Sequence, residues 1–279
     1  MFLVLTSAQG VSDDVVAEAI KQLADAEAPR RLSANAVEVR FRGARPNFAL
    51  AGVDVNVVPA ANRLKKLLIA DMDSTIIPVE CIDELADFAG LKAEVSEITE
   101  RAMQGALDFE AAIDARVGLL AGMPETVLQQ CYDERITLNP GARILVKTMN
   151  AQGAMTALVS GGFTFFTEKV AEVAGFRMNR ANSLEIVDGA LSGKVIRPIL
   201  GREAKLESLN GLCAEQGISA EDVIAVGDGA NDLMMVEAAG LGVAYKAKPA
   251  LAAKADVVLN YSDLTALLAL QGLAEANFA

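Results

Sequence analysis

Short apolar runs alternate with segments of helical periodicity from residue 65 to the end of the chain. The runs that predict strands are 65–71, Met155–Val159, Val223–Val226, Gly242–Tyr245 and Val257–Leu259. The segments that predict helices are Gly141–Asn150, Phe165–Ala174, Glu203–Gln216, Asn231–Ala239, Pro249–Lys254 and Leu264–Leu270. Because strands that alternate with helices are typical of parallel sheets, the pattern predicts an α/β fold with a doubly wound, Rossmann-like and mainly parallel sheet. The turn residues Asp188-Gly189 add a hairpin at Ile186–Leu191.

Residues 79–135 interrupt this alternation, because their periodicity is helical throughout. The predicted helices are Ile82–Ala89, Ala93–Gln104, Asp108–Ala121 and Glu125–Arg135. A glycine follows each of the first three and Pro124 precedes the fourth, which is the usual punctuation of helix ends. An insertion at this point sits over the carboxyl end of the sheet, where it can act as a lid. We therefore expect a helical cap at 79–135, inserted into a core made of residues 63–78 and 136–279.

Residues 1–62 predict a small separate α+β domain. The strand-like runs are Phe2–Leu5, Ala36–Phe41 and Val53–Val58, and a helix over Asp13–Ala26 follows a possible cap at Ser12. The resulting β-α-β-β order resembles a partial ACT-like regulatory domain. A packing or dimerisation module without a ligand is the alternative, and a homodimer through this domain would fit either interpretation.

Composition and charge exclude several classes of protein. Hydrophobic residues make up 52% of the 279 residues, which is ample for a globular core. No apolar stretch approaches the roughly 18 residues of a membrane span, and the N-terminus lacks the pattern of a signal peptide. The formal charge of −12 disfavours a nucleic-acid partner. We therefore expect a cytoplasmic protein that binds neither nucleic acid nor membrane, and in which an anionic small-molecule substrate would have to be captured by local positive groups.

The cysteine and histidine contents narrow the chemistry further. Cys81, Cys131 and Cys213 are widely spaced, which predicts reduced thiols rather than disulfides or a zinc site. The chain contains no histidine, so catalysis through Ser-His-Asp or Cys-His is excluded. Acid-base chemistry must come from carboxylates, lysine or tyrosine.

Two carboxylates end the first predicted strand of the core. In an extended segment Asp71 and Asp73 would face one side while Met72 packs into the core. Ligands of open α/β sheets bind at this end of the strands. Two neighbouring anions need a cation or a shared proton, and a site built from oxygen ligands suits Mg²⁺. The alternative is that one aspartate caps the following turn and the other is solvated.

Polar residues also follow two later strands and begin one helix. Ser160-Gly161-Gly162 could cradle an oxyanion, or could be a plain glycine turn. Lys205 lies near the start of a helix, where a solvated position is the alternative. The run from Gly227 to Asp232, which contains Asp228 and Asn231, could equally be a turn with a helix cap.

The order of these motifs resembles that of the haloacid dehalogenase superfamily of phosphatases: Asp-x-Asp-x-Thr, then Ser-Gly-Gly, then Lys, then Gly-Asp-Gly-x-Asn-Asp. The resemblance implies hydrolysis of a phosphomonoester through an aspartyl-phosphate on Asp71, with Asp73 as acid and base. It implies Mg²⁺ held by Asp71, the Asp73 backbone carbonyl and Asp228. The implied supporting residues are Asp232 and Asn231 around the metal and Ser160, Gly161 and Lys205 around the phosphoryl oxygens.

A narrower resemblance covers residues 67–135. The residues that carry it are Asp71-Met72-Asp73-Ser74-Thr75, Glu80, Ile82-Asp83-Glu84, Ala102-Met103-Gln104-Gly105, Phe109-Glu110 and Arg116-Val117. They are similar to the branch of the superfamily that hydrolyses O-phosphoserine, the last step of serine biosynthesis. The resemblance implies that Glu80 binds the substrate ammonium and Arg116 its carboxylate, while Met103 and Phe109 wall the pocket.

Each of these four residues also has a purely structural alternative, as a helix cap, a surface residue or a core residue. Two other functions stay open. One is a related phosphotransferase or a phosphatase for another small monoester, and the other is a non-catalytic amino-acid sensor.

Overall fold

A computed structural model describes residues 1–103 and 107–279, except for the side chains of Met103 and Phe109. Its strands are β1 (Phe2–Thr6), β2 (Arg30–Ser33), β3 (Ala36–Arg40), β4 (Asp54–Val58), β5 (Leu67–Ala70), β6 (Met155–Phe163), β7 (Met178–Val187), β8 (Ala190–Ile196), β9 (Val223–Gly227), β10 (Leu241–Tyr245) and β11 (Val257–Leu259). Its helices are α1 (Asp13–Ile20), α2 (Cys81–Phe88), α3 (Lys92–Met103), α4 (Phe109–Leu119), α5 (Thr126–Arg135), α6 (Ala142–Ala151), α7 (Thr164–Ala174), α8 (Arg202–Gln216), α9 (Leu233–Ala238), α10 (Pro249–Ala252) and α11 (Ala266–Leu270).

The larger sheet has the order β11-β10-β9-β5-β6-β7-β8, with β5 in the middle. Every neighbouring pair is parallel except β7 and β8. Along β5, Leu68 and Ala70 enter one hydrophobic cluster, whereas Leu67 and Ile69 enter another. Both faces of the strand are therefore covered, which explains its unbroken apolar sequence. The predicted α/β fold with a mainly parallel sheet is confirmed.

Helices α2 to α5 lie between β5 and α6 in the chain, and the hairpin of β7 and β8 holds them against the sheet. Leu191 of β8 accepts a hydrogen bond from Gly122 and donates one to Met123. Arg197 forms ion pairs with Glu110 and Asp114 of α4. The insert thus rests on an edge hairpin of the sheet.

The N-terminal sheet is antiparallel, with the order β2-β3-β1-β4. Strand β2 was absent from the prediction, because its arginines make it read as polar; they pair with Glu38 and Asp13 at the sheet edge. Helix α1 ends at Ile20 rather than Ala26. Leu23 and Ala26 still pack against the hydrophobic cluster of the N-terminal sheet, which is why the helical periodicity continues past the end of the helix.

The N-terminal sheet is fixed to the core by buried polar contacts. The Asp54 carboxylate accepts hydrogen bonds from the backbone N–H groups of Asn260 and Tyr261 and from the Ser262 hydroxyl. Asn56 exchanges two hydrogen bonds with the backbone of Val258 in β11. A buried carboxylate that has lost its water needs such partners, so these contacts join the two sheets.

Several element boundaries in the core also differ from the prediction. Strand β6 continues to Phe163, so Ser160 and its glycines belong to an irregular strand end rather than to a loop. The β7–β8 hairpin is longer than Ile186–Leu191, because exposed and polar residues extend both strands. A 3₁₀ turn over Ala230–Asp232 precedes α9, which begins at Leu233. Within the described part of the chain, every helix is too short or too polar to cross a bilayer.

Candidate active site

The residues Asp71 to Asp73 form a sharp turn immediately after β5. Asp71 Oδ1 accepts a hydrogen bond from the Met72 N–H at 2.8 Å, and Ser74 adopts a left-handed conformation with φ 55°. The Met72 side chain is fully buried in the core, whereas Asp71 and Asp73 line the same cavity. The structure therefore brings the two acids to one site, through a turn rather than a continued strand.

The candidate active-site cavity lies between the helical insert and the carboxyl ends of the central strands of the larger sheet. We call this end of the strands the sheet edge. The core contributes Asp71, Ser160 and Asp228 to its lining, and the insert side contributes Glu80, Thr99 and Arg116. Gly161 and Asn231 also line it. Residues of the Asp-x-Asp, Ser-Gly-Gly and Gly-Asp-Gly-x-Asn-Asp motifs thus meet at one cavity, together with Glu80 and Arg116.

A buried ion-pair network holds Asp71. Lys205 Nζ lies 2.8 Å from Asp71 Oδ1 and 2.6 Å from Asp232 Oδ1. The second oxygen of Asp232 accepts the backbone N–H groups of Asp228 and Gly229, both at 3.1 Å. Burial alone lowers the pKa of Lys205, but Asp232 and Asp71 more than offset this and raise it above 10.5. Lys205 therefore stays charged and fixes the position of Asp71.

Asp71, Asp228 and Asp232 place carboxylate oxygens within 4.8 Å of one another. Burial, followed by the charge of Asp232, raises the pKa of Asp71 from 3.8 to about 7, against the opposing effect of Lys205. Burial, followed by Glu80 and Asp232, raises the pKa of Asp228 well above its usual value. One lysine does not balance these acids, so the cluster favours a further cation.

The donor atoms around this cluster fit Mg²⁺. All are oxygens, which Mg²⁺ prefers. Asn231 Oδ1 is buried and has no hydrogen-bond partner among the described residues, so it can accept from a water molecule held by the metal. Asp232 is already occupied by Lys205 and two N–H groups, which favours an orienting role over direct ligation. Asp71 and Asp228 are therefore the better side-chain ligands.

The Asp73 carboxylate is held apart from this cluster. Its Oδ1 accepts the Cys81 N–H at 2.9 Å, and its Oδ2 accepts the Ser160 hydroxyl at 3.2 Å. Burial raises its pKa, although the contacts with Cys81 and Ser160 oppose the rise. Since both side-chain oxygens are engaged, only its backbone carbonyl is left for the predicted metal role. The side chain itself is suited to carry a proton.

Gly162 is needed at the site because there is no room for a side chain between β6 and the Asp73 carboxylate. A Cβ atom at this position would lie 2.6 Å from Asp73 Oδ2 and 3.0 Å from Ser160 Oγ. Its N–H donates to Ser160 Oγ at 2.8 Å. The missing side chain lets β6 approach the Asp73 carboxylate.

The Glu80 carboxyl group and the Arg116 guanidinium both lie on the insert side of the cavity. Glu80 accepts the Ser74 hydroxyl at 2.6 Å. Burial, followed by Asp73, raises the pKa of Glu80 from 4.5 to about 8. Burial lowers the pKa of Arg116, while Glu80 and Asp83 oppose the change. A ligand that carries both an ammonium and a carboxylate would complement this pair.

Thr99 and Asp83 were not among the predicted site residues, because helical spacing does not show which side chains of different helices meet. Thr99 lines the cavity and accepts a hydrogen bond from Arg116. Thr75 was also missed, and its hydroxyl lies 3.4 Å from Asp228 Oδ1. The side chains of the predicted wall residues Met103 and Phe109 lie outside the described residues. Gln104 and Gly105, which belong to the same motif, lie outside them entirely.

Comparison with known proteins gives a family match over residues 68–237, to the model described as haloacid dehalogenase-like hydrolase. A phosphoserine phosphatase of Archaeoglobus fulgidus is 43% identical over 235 residues, which are 84% of this chain and 68% of that protein. A phosphoserine phosphatase of Haemophilus influenzae is 46% identical over 204 residues, which are 73% of this chain and 65% of that protein. The chain thus spans about two thirds of the length of these relatives.

A solved structure titled as a phospho-aspartyl intermediate analogue of phosphoserine phosphatase matches with a TM-score of 0.71 and 41% identity. The match covers 74% of this chain and 98% of that one.

Proposed function

The chain belongs to the haloacid dehalogenase-like hydrolase family, and we propose that it hydrolyses O-phosphoserine to serine and phosphate. The observation that carries the proposal is the cavity itself. Its lining contains the candidate nucleophile Asp71 together with Glu80 and Arg116, a combination that suits a substrate with a phosphate, an ammonium and a carboxylate. Serine biosynthesis would need this reaction as its last step.

Asp71 is the nucleophile in the proposed mechanism. Its carboxylate attacks phosphorus and the serine alkoxide leaves, so the phosphoryl group is carried as an aspartyl-phosphate. Water then hydrolyses this acyl phosphate and restores the carboxylate. The contact with Lys205 at 2.8 Å opposes the rise in the pKa of Asp71 and orients its carboxylate, and the same ammonium offsets charge on the phosphoryl oxygens.

Asp73 is the acid and base. Its raised pKa favours the protonated form at the start, from which it can donate to the leaving alkoxide. The resulting carboxylate then takes a proton from the attacking water. Cys81 and Ser160 hold its two oxygens and thereby fix its orientation.

The residues fit Mg²⁺ as the metal, held by Asp71, Asp228 and the Asp73 backbone carbonyl. When bound, it would neutralise charge between the Asp71 carboxylate and the substrate phosphate. Asp232 orients this group of ligands through the N–H groups of Asp228 and Gly229. Ser160 and the Gly161 N–H complete the phosphate site, with Asn231 at its edge.

A screen of phosphate release tests the proposal. Phosphoserine, phosphothreonine, phosphoethanolamine and an aryl phosphate should be compared, each with Mg²⁺ and with a chelator. We expect phosphoserine to have the highest kcat/KM and the chelator to abolish turnover. A stronger preference for another monoester would overturn the substrate assignment. Transfer of phosphate to an alcohol acceptor such as homoserine, at a rate above its release to water, would identify a phosphotransferase instead.

The domain organisation is part of the proposal: an ACT-like domain at 1–62, a core at 63–78 and 136–279, and a cap at 79–135 with Met103 and Phe109 in the pocket wall. The single helix on a four-stranded antiparallel sheet supports a partial ACT-like fold. Free, buried thiols support the predicted cytoplasmic location. A homodimer through residues 1–62 stays a prediction, which light scattering of the full chain would test.

A further inference from the structure

The guanidinium of Arg116 is held in place from within the insert. Its Nε donates to the Ala112 carbonyl at 3.1 Å and its Nη1 donates to Thr99 Oγ1 at 3.1 Å. Arg116 is only 7% exposed and Thr99 only 3%. In the part of the chain that the structure describes, the hydrogen bonds of Arg116 come from Nε and Nη1, and Nη2 makes none. The Thr99 contact therefore sets the angle at which the remaining donors face a ligand.

Thr99 is itself oriented by a carboxylate. Its hydroxyl donates to Asp83 Oδ1 at 2.6 Å, and the Val95 carbonyl, at 3.0 Å, is the alternative acceptor. A hydroxyl has one proton, so a donation to Asp83 leaves its lone pairs for Arg116. Ser96 donates to the other Asp83 oxygen at 2.7 Å. Asp83, Thr99 and Arg116 lie on α2, α3 and α4, so one chain of hydrogen bonds ties three helices together.

We propose that Thr99, oriented by Asp83, is a positioning residue that presents Arg116 to the carboxylate of the substrate and so sets its preference for amino-acid phosphomonoesters. The inference rests on the proposed function, because Arg116 must meet a substrate carboxylate. A guanidinium binds a carboxylate with two parallel hydrogen bonds only when its plane is correctly set. The Thr99 hydroxyl accepts a hydrogen bond from Nη1 and thereby fixes the plane of the guanidinium.

Phosphoethanolamine separates this role from general support of the fold, because it has the phosphate and the ammonium of phosphoserine but lacks the carboxylate. We expect Thr99→Val to raise the KM for phosphoserine about 10- to 100-fold, the usual worth of a hydrogen bond to a charged group. The kcat should change little. The kcat and KM for phosphoethanolamine should stay within about 2-fold of the wild-type values, since this substrate has no carboxylate for Arg116 to bind.

Three further variants keep the test sharp. Thr99→Ser restores the hydroxyl and should restore the KM. Thr126→Val makes the same exchange at an exposed position of α5 that does not line the cavity, and is the matched control. Asp83→Asn should raise the KM in the same direction, and it replaces Thr99→Val if thermal unfolding shows that the valine variant does not fold.

A double-mutant cycle decides whether Thr99 acts through Arg116. In an Arg116→Ala background, Thr99→Val should cause no further loss with phosphoserine. A further loss there, or equal losses on phosphoserine and phosphoethanolamine, would overturn the inference. A wild-type protein that turns over other monoesters but not phosphoserine would overturn the proposed function, and the inference with it.

Discussion

The sheet edge and the helical insert hold their site residues in different ways. At the sheet edge, Asp71, Lys205 and Asp232 come from distant parts of the chain, and Lys205 forms ion pairs with both aspartates. In the insert, the hydrogen bonds of Arg116 to described residues go to Ala112 of α4 and Thr99 of α3. The network of Asp71, Lys205 and Asp232 can therefore keep its geometry when α3 and α4 change, whereas Asp73 is tied to α2 through the Cys81 N–H. We infer that the reaction at the phosphate and the recognition of the ammonium and carboxylate of the substrate are separable, so that mutations should affect the two functions differently.

The largest effect should come from Asp71→Asn, because it removes the nucleophile. We expect kcat to fall by at least about 10⁴-fold on every monoester, as loss of a nucleophile does elsewhere. The fold should survive, since asparagine has the same shape and removes a buried acid. Phosphate release and the thermal midpoint measure the two effects. Asp133→Asn, at an exposed position of α5, is the control, and an active Asp71→Asn variant would remove Asp71 as nucleophile.

Gly162→Ala should be the next largest. The new Cβ would stand 2.6 Å from Asp73 Oδ2, so the carboxylate must move. Displacement of a catalytic group by about 1 Å can cost about 100-fold in kcat. The loss should be equal on phosphoserine and on an aryl phosphate, because both use Asp73.

A second alanine provides the control for Gly162→Ala. Gly211 lies inside α8, and a Cβ there meets nothing within 4 Å. Gly211→Ala should keep full activity and stabilise the helix by about 0.5–1 kcal/mol. If Gly162→Ala is as active as Gly211→Ala, the close approach of β6 to Asp73 has no catalytic role.

The contrast between the sheet edge and the insert also explains which features of the site could be predicted from the sequence. Asp71 and Asp73 were found because they follow a buried apolar run, and strand ends of parallel sheets meet at one edge. The roles of Thr99 and Asp83 depend on how α2, α3 and α4 pack, which a helical pattern does not encode. The requirement at Gly162 depends on a contact between residues 89 positions apart, from Asp73 to Gly162. Local pattern thus predicts the sheet edge better than the insert.

Arg116→Ala tests the insert half of the comparison. It should lower kcat/KM for phosphoserine about 100-fold, the scale of a lost charge-assisted pair. An aryl phosphate has no carboxylate to lose and should be affected far less. Arg101→Ala is the matched control, since Arg101 is an exposed arginine of α3. Equal losses of Arg116→Ala on both substrates would show that Arg116 does not read the carboxylate.

The smallest effect is on stability, and it sharpens the comparison through pH. The pKa of Asp71 is about 7 in the folded protein against an ordinary 3.8, and that of Glu80 is about 8 against 4.5. Between about pH 4 and about pH 8 the folded protein therefore binds more protons than the unfolded chain, so its stability falls as pH rises through this window. Urea unfolding in a chelator at pH 5.5 and pH 8 should show the fall.

Mg²⁺ should relieve the part of this pH dependence that comes from Asp71, because it binds the Asp71 carboxylate. Glu80 lies on the insert side, outside the acidic cluster, so its part should persist in Mg²⁺ and disappear in Glu80→Gln. If Mg²⁺ alone abolished the whole pH dependence, Glu80 would belong to the metal site, and the division between sheet edge and insert would not hold for that residue.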